Sequence, residues 1–329
     1  MRTDALRGDV WRSARLARWL ALAATVGMFA VLVMGATVTN TGSAEGCGRS
    51  WPLCHGKFIP SFAVATAIEF SHRLVTSVES LLVFALAAVA LLGWRQRREV
   101  RVLVPLMVGT LLLQAGLGAW AVLAPQQPAV LAAHFGVSLT AFASTLLTAV
   151  FFWQLEGGER QRELPLPRHL RGAVFGVIGY IYLLVYLGAY VRHSGASLAC
   201  GGWPLCAGQV FPGFHGYAGI EFAHRLAAVA GTLLVVGLAA WTRRGRMARP
   251  DLYRGSLLAL GLILVQSLSG ALVVWTHLDL FSALTHAAIV TLLFGSLTYV
   301  AYQTLPLPAL ARRATREPVR AVRVAPAER

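Results

Sequence analysis

Ile68-Glu69-Phe70-Ser71-His72-Arg73-Leu74 places an acid, a histidine and an arginine within five positions of an otherwise apolar stretch. Ile220-Glu221-Phe222-Ala223-His224-Arg225-Leu226 repeats it almost letter for letter. The surrounding residues, 65–92 and 217–241, are each long enough to cross a hydrocarbon core of ~30 Å as helix. Ionisable side chains in such a helix cost roughly 2.5–3.5 kcal/mol each on insertion scales, so three together call for compensation. A functional site is the default expectation.

Working outward, further apolar stretches lie near 19–38, 102–122, 129–153, 172–191, 255–275 and 281–303, which makes eight spans. With 57% hydrophobic and 13% charged residues over 329 positions, the chain carries more apolar surface than a soluble domain can bury. The expected fold class is an all-α membrane protein with eight transmembrane helices. A net charge of +15 would suit nucleic acid, but its placement argues for a lipid bilayer instead. Arginines crowd the N-terminus, the connections after spans 2, 4 and 6, and the C-terminal tail, while the alternate loops carry few. By the positive-inside rule this predicts a multi-pass protein of the cell (cytoplasmic) membrane with both termini cytoplasmic. The first apolar run is full span length with no convincing cleavage site after it, so it reads as a span and not as a signal peptide. The tail after Leu305, rich in Pro, Ala and Arg, is expected to be disordered.

The chain also repeats itself. Trp51 and Trp203, Cys54 and Cys206, Glu69 and Glu221, His72 and His224, Gln114 and Gln266, Gly118 and Gly270, and His134 and His286 are each 152 apart by subtraction. Cys47 and Cys200 are 153 apart, a one-residue indel. Two tandem four-helix bundles follow, residues 1–154 and 172–304, joined by a polar cytoplasmic linker at 155–171 and followed by the tail 305–329. Each unit has an even number of spans, so the two keep one orientation, related by a pseudo-twofold axis along the membrane normal.

All four cysteines fall in the outer loops, in CGRSWPLC (Cys47 to Cys54) and CGGWPLC (Cys200 to Cys206). On the oxidising side each pair reads either as a disulfide staple or as a redox-active couple. His72 and His134 lie five to seven residues into spans of the same direction, as do His224 and His286. Each pair therefore sits at one depth, the arrangement that axial ligation of a haem requires. Glu69, three residues before His72, shares its face; it either reaches the site or pairs with Arg73. Arg73 and Arg225 read as propionate clamps or as snorkelling cations. Gln114 and Gln266 suit either interhelical hydrogen bonding or the site. One asymmetry is visible: Glu79, seven residues after His72, has Gly231 as its counterpart. It reads as a mark of the reacting half or as a packing residue paired with Ser77 or Gln114.

The two four-helix repeats, the Trp-Pro-Leu-Cys loops, the Glu-x-x-His-Arg motifs and the partner histidines together resemble the haem A synthase family, membrane enzymes that convert haem O to haem A. The resemblance covers nearly the whole chain. It implies His224 and His286 as ligands of a bound haem b, and His72 and His134 as the pair around the substrate haem iron. It further implies Glu69 as the acid important for catalysis, Cys47 and Cys54 as the functional cysteines, and oxidation of a ring methyl to a formyl by successive hydroxylation and loss of water. Haem O is the implied substrate, with haem O synthase and terminal-oxidase assembly factors as candidate partners and a homo-oligomer left open. Two other classes compete. A di-haem cytochrome b would carry the same histidines without needing the acid or the cysteines. A membrane thiol oxidoreductase would use the cysteines and hold no haem. A transporter is disfavoured, because the buried polar groups gather away from the midplane.

Overall fold

The computed structural model of the chain describes residues 2–61, 63–124, 126–155 and 166–306, with the backbone alone for residues 2–13. Most of the sequence-predicted linker and all but the start of the tail lie outside the described residues. Eight helices follow one another: α1 Arg2–Asn40, α2 Val64–Trp94, α3 Arg98–Leu123, α4 Pro128–Gln154, α5 Arg168–His193, α6 Gly216–Arg244, α7 Pro250–Trp275 and α8 Leu280–Thr304. Among the described residues each contains a span long and apolar enough to cross a membrane, so the protein is a multi-pass, all-α membrane protein. The helices outrun the apolar stretches, most of all at α1, which begins at Arg2 and not at 19, and also at α3, α5 and α7, which begin at Arg98, Arg168 and Pro250 and not at 102, 172 and 255. Helical hydrogen bonding continues past the end of an apolar stretch, where exposed Arg98 and Arg168 can keep their charges in water and a first-turn proline such as Pro250 lacks no needed donor.

α1 packs against α2 and α4, and α3 against both of those, which closes one ring of four; α5 to α8 close a second ring in the same order. Between the rings α1 meets α8, α4 meets α5, and α4 meets α8. Exchanging α1 with α5 and α4 with α8 maps this set onto itself, which fits a twofold running beside α4 and α8. Close approach there depends on a small residue: a Cβ on Gly295 of α8 would stand 3.0 Å from both Phe142 and Leu146 of α4. Lipid tails are as apolar as leucine, so association rests on such packing more than on hydrophobic burial. Met28, Leu139, Phe142, Ile181, Leu293 and Leu297 form the core across both rings. Ala17, Ala21 and Ala24 give α1 a small-residue seam. At the cysteine-loop end the rings are also tied by polar contacts, Arg192 of α5 donating to Asn40 Oδ1 (2.9 Å) and to Thr39 O (3.4 Å) of α1.

Candidate functional site

Each cysteine loop is built around a two-residue hairpin turn. His55 and Gly56 have φ of 51° and 72°, Ala207 and Gly208 of 50° and 76°, the paired positive values of a type I′ turn. Cys54 N donates to Lys57 O (3.2 Å) and Lys57 N to Cys54 O (2.9 Å); Cys206 and Gln209 exchange the same bonds at 3.0 and 2.9 Å. Cys47 is disulfide-bonded to Cys54, and Cys200 to Cys206. The first loop lies directly on α2. A Cβ on Gly46 would come within 2.3 Å of the Ala65 carbonyl, and the Thr66 hydroxyl donates to Gly46 O at 2.7 Å.

The acids fasten these loops to the helices. Glu69 is buried, and its Oε2 accepts from Cys47 N at 2.8 Å, while its Oε1 accepts from the Arg73 guanidinium through Nε at 3.1 Å and through Nη2. Arg73 Nη1 continues into the loop, donating to the carbonyls of Ser50 (2.8 Å) and Leu53 (3.1 Å). The second half reproduces this: Glu221 Oε2 accepts from Cys200 N at 2.7 Å, its Oε1 from Arg225 Nη2, and Arg225 Nη1 donates to Leu205 O at 3.3 Å. Acid, arginine and loop therefore form one charge-assisted unit per half. Removing one member would leave a largely buried charge unpaired, a loss of about 3–5 kcal/mol.

The histidines lie deeper. His72 comes eight positions after the start of α2 at Val64, His224 eight after Gly216, and His134 and His286 each six after Pro128 and Leu280. At about 1.5 Å per residue the members of each pair are within roughly one turn of the same depth. His134 is near enough to His72, and His224 to His286, to interact electrostatically. The Nδ1 atoms of His72, His134 and His224 are buried and have no hydrogen-bond partner among the described residues. His286 is held: its Nδ1 lies 2.9 Å from Ser269 Oγ and its Nε2 lies 3.0 Å from Gln266 Nε2. Every imidazole faces a glycine of the neighbouring helix. A Cβ would stand 3.4 Å from His72 at Gly35, 3.3 Å from His134 at Gly118, 2.7 Å from His224 at Gly188 and 3.3 Å from His286 at Gly270. Only the Gly118 and Gly270 pair stood out in the sequence; Gly35 and Gly188 share the 153-residue offset of Cys47 and Cys200.

Elsewhere the halves diverge. Gln114 reaches no histidine with its side chain: its Nε2 is 3.9 Å from Met28 Sδ, and its Oε1 has no partner among the described residues. Glu79 is buried with both oxygens unpartnered among the described residues, and Ser77 donates to Arg73 O and not to it. His193, at the end of α5, approaches His134 closely enough to interact electrostatically, so the second half contributes to the surroundings of the first pair. Nothing in local sequence pattern signals that approach.

Paired, half-buried imidazoles, three of them with a buried Nδ1 that has no partner among the described residues, each set against a glycine where a Cβ would crowd the ring, fit a flat macrocycle bound from both faces. Residues 17–298 match the family COX15-CtaA, cytochrome oxidase assembly protein. The chain belongs to this family. It is 44% identical over 299 residues to the heme A synthase of Symbiobacterium thermophilum, covering 88% of this chain and 96% of that one. It is 40% identical over 308 residues to the heme A synthase of Geobacillus kaustophilus, covering 93% and 95%. The heme A synthase of Geobacillus thermodenitrificans is likewise 40% identical over 306 residues, covering 90% and 95%.

Proposed function

We propose that the chain converts haem O to haem A, oxidising a methyl group on the porphyrin rim to a formyl, with haem b bound in its second half. The observation that carries this reading is the duplicated pair of half-buried histidines, each pair at nearly one depth, in a chain of this family. His224 and His286 hold haem b in this reading, with Ser269 fixing the ring of His286 through Nδ1 and leaving Nε2 for the iron once Gln266 turns aside. When bound, haem b supplies a one-electron relay, the role to which closed bis-histidine coordination is suited.

His72 and His134 grip the substrate haem between α2 and α4 and set which rim position meets the reacting groups. Conversion of methyl to formyl removes four electrons overall, so orientation and exclusion of bulk water are the protein's share of the work. Glu69 is the acid at the loop-side rim, poised by Arg73 and Cys47 N. Arg73 and Arg225, with 14% and 15% of their side chains exposed, are the cations on the propionate side. Residues 1–154 form the substrate unit, 172–304 the haem b unit, and 155–171 their cytoplasmic link. The arginine-rich ends face the cytoplasm in this reading, and the cysteine loops face outward. The family's description as a cytochrome oxidase assembly protein supports partnership with terminal-oxidase assembly factors and with the enzyme that delivers haem O.

The test is to co-express the chain with a haem O-producing enzyme and to identify extracted haems by chromatography and mass. Haem A is expected. Haem O and haem B alone, in a host with working electron carriers, would leave a non-catalytic di-haem cytochrome as the better reading.

A further inference from the structure

Within the eight apolar stretches read from the sequence, Glu79 is the acid that neither the loop anchors nor the histidine pairs use. It lies seven residues after His72 on α2, so it keeps nearly the same face, about 10 Å farther from the loop end. Its side chain leans back toward the start of α2, and so toward His72. Both residues abut α1, His72 at Gly35 and Glu79 at Gly27, where a Cβ would fall 1.8 Å from Glu79 Oε2. The carboxyl is 1% exposed, and neither oxygen has a partner among the described residues.

The second half closes this space. Gly231 replaces the acid, and a Cβ there would meet Ile181 and Leu184 at 3.2 and 3.1 Å and Tyr180 at 3.4 Å. Tyr180 takes the place of Gly27 at the 153-residue offset, and its hydroxyl is satisfied by Ala227 O at 3.0 Å. One half therefore holds a glycine-flanked carboxyl with two unused acceptors, and the other a filled, hydrogen-bonded seam. Unsatisfied buried acceptors are expensive, so they point to a ligand group that completes them.

Haem O differs from haem B by a hydroxyethyl-farnesyl chain in place of a vinyl group, on the edge of the macrocycle opposite the propionates. That chain carries an alcohol, which in an apolar interior needs an acceptor. With the propionates toward Arg73, the alcohol-bearing edge points down the α1–α2 seam. We infer that Glu79 accepts a hydrogen bond from the side-chain hydroxyl of the prenylated haem, and so fixes which haem enters the first half and which rim methyl is presented. The inference rests on the function proposed above, in which the first half takes haem O. A site built to bond a substrate hydroxyl discriminates strongly against a ligand that lacks it.

The test is a titration of the purified full chain, already loaded with haem b, with haem O and with haem O whose side-chain hydroxyl is methylated, followed by absorbance. Glu79→Leu is expected to weaken haem O roughly tenfold or more, and methylation to weaken binding to the unaltered chain similarly. Glu79→Leu should then add no further loss for the ether, and Glu79→Gln, which keeps an acceptor oxygen, should retain most of the affinity. An unchanged haem b spectrum and melting temperature check that the variants fold; the ether on the unaltered chain needs no substitution at all. Equal binding of haem O and its ether by the unaltered chain overturns the inference. So does a loss in Glu79→Leu that is the same for both ligands, since that marks a packing role. Absence of any His72-dependent haem O binding by the unaltered chain overturns the proposed function and this inference together. Binding that His72→Ala abolishes and Glu79→Leu leaves intact overturns this inference alone.

Discussion

At the loop end the two halves are nearly interchangeable: Glu69 and Glu221 each hold a cysteine N–H and an arginine, at 2.8 and 2.7 Å for the N–H. Nearly three helical turns inward they part, with Glu79 against Gly27 on one side and Gly231 against Tyr180 on the other. The shared part fastens a loop to a helix and positions a histidine beneath it. In the function proposed above, what separates the reacting half from the holding half is then to be sought in the interior, where the residues differ.

The largest effect expected from this comparison is at the histidines. His224→Ala or His286→Ala should remove the low-spin haem b absorbance of the purified protein, while His72→Ala and His134→Ala retain it. Retention in both second-half variants would reverse the assignment of the halves. Next come the acids. Glu69→Ala and Glu221→Ala each strand an arginine of low exposure and should destabilise by about 3–5 kcal/mol, read as similar falls in melting temperature. Glu69→Ala should also stop haem A formation with the haem b spectrum intact. The same outcome in Glu221→Ala would make loop anchoring the acid's whole contribution in both halves. Serine at either cysteine pair closes no loop and is expected to lower stability by ~2–4 kcal/mol or less, since only 7 and 6 positions separate the partners. The finest comparison is between glycines. Gly188→Ala places a methyl 2.7 Å from His224 and should shift the haem b spectrum, with overpacking of about 1–3 kcal/mol, whereas Gly35→Ala, at 3.4 Å from His72, should leave spectrum and melt nearly unchanged.

The eight spans were legible because lipid demands a continuous apolar run for each, and the tandem repeat because its markers keep a fixed offset. The loop anchor was only half legible. Glu69 and Arg73 stand four apart on one helix, and that spacing announces an ion pair, but the third partner is a main-chain N–H in a loop 22 residues away. Backbone donors carry no side-chain signature, so no motif marks them. Gly35 and Gly188 were hidden for a related reason, and Gly118 and Gly270 showed only as repeat markers: a glycine reveals its role in sequence only when its partner on the next helix is already known. The true starts of α3, α5 and α7 were missed because hydropathy tracks the hydrocarbon and not the hydrogen-bond ladder.

The way Glu69 and Glu221 grip the loops separates two properties that the cysteines would otherwise combine. Each carboxylate holds the amide of Cys47 or Cys200 and leaves the sulfur alone, and Arg73 adds a hold on the carbonyls of Ser50 and Leu53. Opening a disulfide therefore leaves its loop moored to α2 or α6. Reduction of either disulfide would then leave the cover over the histidines beneath in place.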